Sequence, residues 1–271
     1  MRKALLCSVV SVFLITAISS FSLAQKETRF FKKQGFVFVP SGYTNINGDS
    51  ISIQSFYIQA SEVTNSNYKV FLDDLQQKGL TEAYAKAQVF SEKWNLPNTD
   101  MKVFALQYFT NPSYNNYPVV NITQEGARMY CSWLEQKFDS AGYKVKVRLP
   151  ELAEWQYAAK GGNENNIYPW EGSSLRNKKG VYMANFKTDK LSEDGGYVMA
   201  ISKSYFPNEF GIYNMCGNVT EWLSDTAMSK GGNFWSDAEY LKIEAKQEFG
   251  NSTSASPFIG FRPVFTYLGK H

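Results

Sequence analysis

Residues Arg148–Gly162 read RLPELAEWQYAAKGG, and residues Pro207–Asp225 read PNEFGIYNMCGNVTEWLSD. The first stretch predicts a short helix. Pro150 suits the first turn, Glu151 and Glu154 favour the positive amino end, Trp155, Ala158 and Ala159 supply an apolar face, and Gly161-Gly162 stop it. The second stretch has no such period. Its Asn, Gly and aromatic residues predict ordered loop and short strand, and this texture continues for most of the chain beyond Gly162. More than 60 residues of irregular chain need something to organise them, either aromatic packing or bound metal.

Upstream the patterns are more regular. Gln34 to Gly42 (QGFVFVPSG) predicts a strand ending in a Pro-Ser-Gly turn, and Ser50 to Ile58 (SISIQSFYI) alternates as a half-buried strand does. A helix follows, with Thr64 or Asn65 as cap, Tyr68, Phe71, Leu72 and Leu75 on one stripe, and Gly79 at its end. Another starts after Pro118, capped by Thr123, with Glu125 in its first turn and Ala127, Tyr130, Cys131 and Leu134 on one face. The expectation is a single α+β domain, irregular and loop-rich, with a few helices and short antiparallel strands.

Composition narrows the chemistry. The 271 residues are 44% hydrophobic and 20% charged, enough apolar material for a folded core. Lys and Arg total 28 against 25 Asp and Glu, a net charge of +3 without the basic excess that nucleic acid requires. The one histidine is His271, at the carboxyl end. This removes Ser-His-Asp triads, Cys-His pairs, His-ligated zinc and two-His iron.

Residues 1–24 read as a secretory signal peptide: Arg2 and Lys3, an apolar run from Ala4 to Ile18, and small residues ending Ser22-Leu23-Ala24. The run is shorter than the roughly 20 residues of a membrane span and is broken by serines. Cleavage after Ala24 leaves 247 residues, residues 25–271, with a net charge of +1. The expected product is exported, with no membrane span after cleavage, and is periplasmic, cell-surface associated or secreted. Cys7 departs with the leader; Cys131 and Cys216 either pair in an oxidising compartment or stay as separate buried thiols.

Four segments in order resemble the formylglycine-generating enzyme, or sulfatase-modifying factor, family, whose domain is a variant of the C-type lectin fold. They are Phe56 to Leu72, Arg148 to Gly162, Pro207 to Asp225, and the pair Lys230 to Trp235 with Ile259 to Pro263. The resemblance implies two structural calcium sites. One maps onto Asn214, Gly217, Val219 and Glu221; the other maps onto Asn185, Phe186, Asp194 and Gly196. A carboxylate, an amide oxygen and turned carbonyls are suitable calcium chemistry. From spacing alone, Glu221 and Asp194 read equally as loop carboxylates and Asn214 as a turn former.

The same resemblance places two copper(I)-binding cysteines after the KGG segment, and these positions are Ser236 and Leu241 here. Neither replaces a thiolate for soft copper. The family partner of Cys131 falls on Pro263, so the family disulfide cannot form. No copper is expected, and no catalytic residue is assigned. The implied function is an exported, calcium-stabilised, non-catalytic binding or scaffold protein with a protein or peptide partner. Its EVTNSNYKVF segment is similar to gliding-motility and type IX secretion proteins of this fold, and Trp170, Trp222 and Trp235 are candidate interface anchors. The alternatives are a divergent protein-modifying oxidase and a lectin-like carbohydrate binder, although the Glu-Pro-Asn sugar motif is absent.

Overall fold

The computed structural model describes residues 26–94, 102–188, 198–246 and 252–271. The expected signal peptide, Cys7, Asp194 and Gly196 lie outside the described residues. Helix α1 (26–33) leads into a four-stranded antiparallel sheet. That sheet holds β1 (Phe36–Val39), β4 (Phe56–Gln59), β5 (Tyr143–Arg148) and β9 (Val264–Lys270) in the spatial order β1-β4-β9-β5. The last strand in sequence is therefore an inner one. Val264 pairs with Ile58 on one side and with Arg148 on the other.

The expected strand over Ser50 to Ile58 divides in two. β2 (Gly42–Ile46) and β3 (Asp49–Ile53) form a separate hairpin whose turn residues Asn47 and Gly48 both have positive φ, at 53° and 93°. That is the backbone a tight two-residue hairpin needs, and Asn-Gly supplies it at low cost. β3 is exposed except for Ile53, whereas all four residues of β4 are buried. Alternation alone could not show that the apolar residues of this segment belong to two different sheets.

Helix α2 (Asn65–Gln77) follows β4. The Thr64 side chain accepts from the Asn67 amide, and the helix buries Tyr68, Phe71, Leu72 and Leu75 as its period predicts. Two short helices that the sequence did not announce come next, α3 (Thr81–Ala87) and α4 (Lys102–Tyr108). Helix α5 (Gln124–Ser140) is capped by Thr123, whose oxygen accepts from Gly126 N at 3.0 Å, and it buries Ala127, Tyr130 and Cys131. Together α2, α5 and the four-stranded sheet enclose an aromatic core including Phe31, Phe36, Phe138, Phe261 and Phe265.

Helix α6 (Leu152–Lys160) starts later than its sequence suggests. Glu151 is the cap, so Pro150 stands before the helix and not within its first turn. The Glu154 carboxylate accepts from the Glu151 amide at 3.0 Å and takes two hydrogen bonds from Arg148, at 2.6 and 2.7 Å. Gly161 closes the helix at φ 63°. Beyond it come long loops, then β6 (Thr220–Trp222), β7 (Ser229–Lys230) and β8 (Ile259–Gly260) in a three-stranded sheet. The expected short antiparallel strands are found in all three sheets, and β6 and β8 add one parallel pair. Among the described residues, no helix is long and apolar enough to cross a membrane.

Candidate functional site

The loop before β6 builds the most unusual part of the interior. Asn214, Gly217 and Asn218 all take positive φ (53°, 77° and 62°), so the chain coils tightly between Asn214 and Asn218. Asn enters this region more readily than other side chains because its amide bonds locally. At Gly217 a side chain is excluded altogether, since a Cβ there runs into the carbonyl oxygen of Asn185. The coil aims two amides at Glu62, which is fully buried: Asn218 Nδ2 donates at 2.8 Å and Asn214 Nδ2 at 3.2 Å.

Burial pushes the Glu62 carboxyl up to about 8, with the negative charge of Glu221 adding to the rise and Arg262 opposing it. Both Glu62 oxygens accept from these amides, and Asn218 in turn lowers the value. Glu221 and Arg262, at 1% and 0% exposure, form a buried ion pair. Arg262 Nε donates to both Glu221 oxygens at 2.9 and 2.8 Å, its Nη2 adds a contact of 2.6 Å, and Trp155 Nε1 donates to Oε2 at 2.9 Å. Nη1 donates to the Gln59 carbonyl at 3.2 Å and Nη2 to the Tyr213 carbonyl at 2.8 Å. Arg262 and Glu221 neutralise one another, the condition under which such groups tolerate burial.

This arrangement bears directly on the implied calcium ligands. All acceptor directions of Glu221 are used by Arg262 and Trp155, so its carboxylate does not fit a calcium ion without giving up that pair. Asn214 turns its amide nitrogen toward Glu62 and the Ser202 carbonyl. Gly217 and Val219 would contribute only backbone carbonyls, on which the burial of the Val219 side chain and the bond from Gly217 N to Gly231 O have no bearing. The second set fits better. Asn185 is 1% exposed, donates through Nδ2 to the Val198 carbonyl at 2.7 Å, and leaves its Oδ1 buried with no hydrogen-bond partner. A free amide oxygen is what a calcium ion takes. Phe186 is buried beside it, while Asp194 and Gly196 lie outside the described residues.

The positions of the family copper cysteines do not open onto a reaction site. Ser236 is fully buried and its Oγ accepts from Asn233 N at 2.8 Å, which makes it a turn-closing residue. Leu241 is fully buried among apolar side chains that include Ile243 and Trp155. Asp237, beside Ser236, pairs with Lys187 at 3.1 Å. Cys131 and Cys216 are separate buried thiols, and burial pushes both well above the ordinary thiol value. Among the described residues no group of three or more His, Cys, Asp or Glu could hold a metal. Of the three candidate anchors, Trp222 belongs to the core and only Trp170 and Trp235 are partly accessible.

Sequence reasoning missed Glu62 and Arg262, although both lie within the segments that carried the resemblance. For Arg262 the available signal was a charged residue inside an apolar run, between Phe261 and Val264; Glu62, set between Ser61 and Val63-Thr64, carried none. Such residues are rarely buried unless partnered.

The chain belongs to the sulfatase-modifying factor enzyme 1-like domain family, whose model matches residues 20–267. It is 29% identical over 202 residues to the formylglycine-generating enzyme of Mus musculus, covering 65% of this chain and 50% of that protein. The chain thus spans about half the length of that relative. It is 24% identical over 247 residues to the inactive C-alpha-formylglycine-generating enzyme 2 of Bos taurus, covering 78% of this chain and 77% of the relative. Among solved structures it is similar to that of CarF, with a TM-score of 0.60, 21% identity, and coverage of 84% of this chain and 97% of the other.

Proposed function

We propose that the protein is an exported, non-catalytic binding or scaffold member of its family, with a protein or peptide as partner. The observation that carries this reading is the replacement of both implied copper ligands by Ser236 and Leu241, each sealed in the interior. Ser236 is held inside a turn, where its Oγ accepts from Asn233 N, and its hard oxygen is a poor match for copper(I), while a buried leucine offers no electrons to a metal. The relative named as inactive is matched over more of its length than the mouse enzyme, in keeping with the same reading. Export rests on residues 1–24, and structural calcium rests on the unpartnered oxygen of Asn185.

The direct test uses the purified chain with copper(I), oxygen and a cysteine-containing substrate peptide. The expected result is no tight copper(I) uptake and no mass change at the peptide cysteine. Oxygen-dependent conversion of that cysteine would replace this reading with the divergent oxidase.

A further inference from the structure

We infer that the partner of this protein enters a cavity bounded by α2, α5 and residues 201–203, and that it is an acidic peptide presenting an apolar side chain. The inference rests on the binding reading above and gives it a place and a chemistry. The cavity measures about 790 Å³, within the range of about 300–1,000 Å³ typical of ligand sites. It is separate from Ser236 and Leu241, neither of which lines it.

Three properties of its lining select the occupant. Its floor is apolar and aromatic, from Phe36, Tyr130 and Phe138, and at its mouth stand Val70 and Ile201, 57% and 43% exposed. Its charged groups are Lys137 and Lys203, with no carboxylate among the lining residues. Asp74 is shared between Lys137, at 3.0 Å, and Lys78, at 2.6 Å, so one lysine charge remains over at that side. Lys203 has no acidic partner among the described residues, and a positive rim over an apolar floor complements a negative, partly apolar ligand.

The third property is unused hydrogen-bonding capacity. Ser202 is 1% exposed and lines the cavity, and its Oγ has no hydrogen-bond partner. Tyr130, 3% exposed, also lines it, with a hydroxyl that no described residue engages. Side-chain amides at Gln34, Gln59 and Asn116 can both donate and accept, as a peptide main chain requires. A saccharide could satisfy the polar groups, but it stacks its C–H face on an open aromatic ring, and Phe36 and Phe138, at 2% and 3% exposure, present none. A peptide satisfies both surfaces.

The experiment is fluorescence anisotropy on the folded chain. Labelled hexapeptides carrying Leu or Phe flanked by Asp and Glu are compared with counterparts in which Lys replaces each acid. Acidic peptides are expected to bind and basic ones not. Lys203→Glu and Val70→Trp should each weaken binding about tenfold or more, whereas Lys179→Glu, a surface change outside the cavity, should leave it within twofold. Lys203 and Val70 are exposed, and unchanged melting temperatures will confirm that the variants are folded. The inference is overturned if acidic peptides bind no better than basic ones, if Lys203→Glu and Lys179→Glu act alike, or if anionic oligosaccharides bind and peptides do not. Peptide binding that ignores Lys203 and Val70 would remove the site but not the non-catalytic reading. Oxidation of a substrate cysteine would remove that reading and leave the charge-reversal result intact.

Discussion

Arg262 illustrates how much one buried side chain can decide. It neutralises Glu221, caps two carbonyls and joins β8 and β9 to β6 and the loop before it. Arg262→Met leaves Glu221 charged and unpaired in the interior, and the expected cost is about 3–5 kcal/mol in denaturant unfolding. Adding Glu221→Leu to that variant should restore part of the loss, since a buried pair is often replaceable by apolar groups when both partners change. A smaller pair of substitutions tests the coil. Gly217→Ala must displace the Asn185 backbone as well as adopt positive φ, whereas Gly180, also at positive φ (78°), has nothing near its absent Cβ. Gly217→Ala should therefore lower the melting temperature well beyond Gly180→Ala, whose cost is backbone strain of about 1 kcal/mol. Asn214, Gly217 and Glu221 were legible in the sequence as special residues. What they contact was not, because Glu221 is separated from Arg262 by 41 positions and Asn218 from Glu62 by 156.

Helices were the elements most open to prediction, for a physical reason: their burial is set by nearest neighbours along the chain. The stripes of α2 and α5 and both threonine caps could be read directly, although Leu134 is only partly buried. Thr123→Ala should cost about 1 kcal/mol, measured by urea unfolding, because the Gly126 amide loses its acceptor. Short helices such as α3, with one buried residue, depend on tertiary contact and left no periodic trace. Two elements are also joined by Asp74 of α2, which accepts from Trp133 and Lys137 of α5 as well as from Lys78. Hydrogen bonding from Lys78 and then Lys137 lowers the Asp74 carboxyl from 3.8 to about 2. Its folded value lies below its unfolded one, so its contribution is present above about pH 4 and is lost as pH falls toward 2. Acid unfolding of Asp74→Asn should accordingly show a shallower loss of stability across that interval than the parent protein.

For the molecule as a whole, the irregular half is organised by aromatic packing, one of the two agents expected, and by a third: side-chain amides that do the work of missing secondary structure. Asn208 Nδ2 donates to the end of α6 while its Oδ1 accepts from Phe210 and Ile212, and Asn218 bridges Glu62 to the amide of Ala200. Asn is common in every loop, so composition does not distinguish these from surface turns. Whether calcium assists them has a direct measurement. Chelation should lower the melting temperature, and metal analysis of the untreated protein should find calcium; an unchanged melt with no calcium would rule the ion out. Asn185→Ala should reduce the chelator effect without affecting the Glu221 pair.

The inner position of β9 has a consequence for how the chain becomes a protein. Its neighbours β4 and β5 lie about 200 and 120 residues earlier, and neither touches the other across the sheet. Until Val264 and the residues after it have been synthesised, the two halves of the sheet have no seam. The nascent polypeptide should therefore remain open and protease-sensitive throughout translation and close in one late step, so that chains stalled before Val264 are digested and the full-length chain is not.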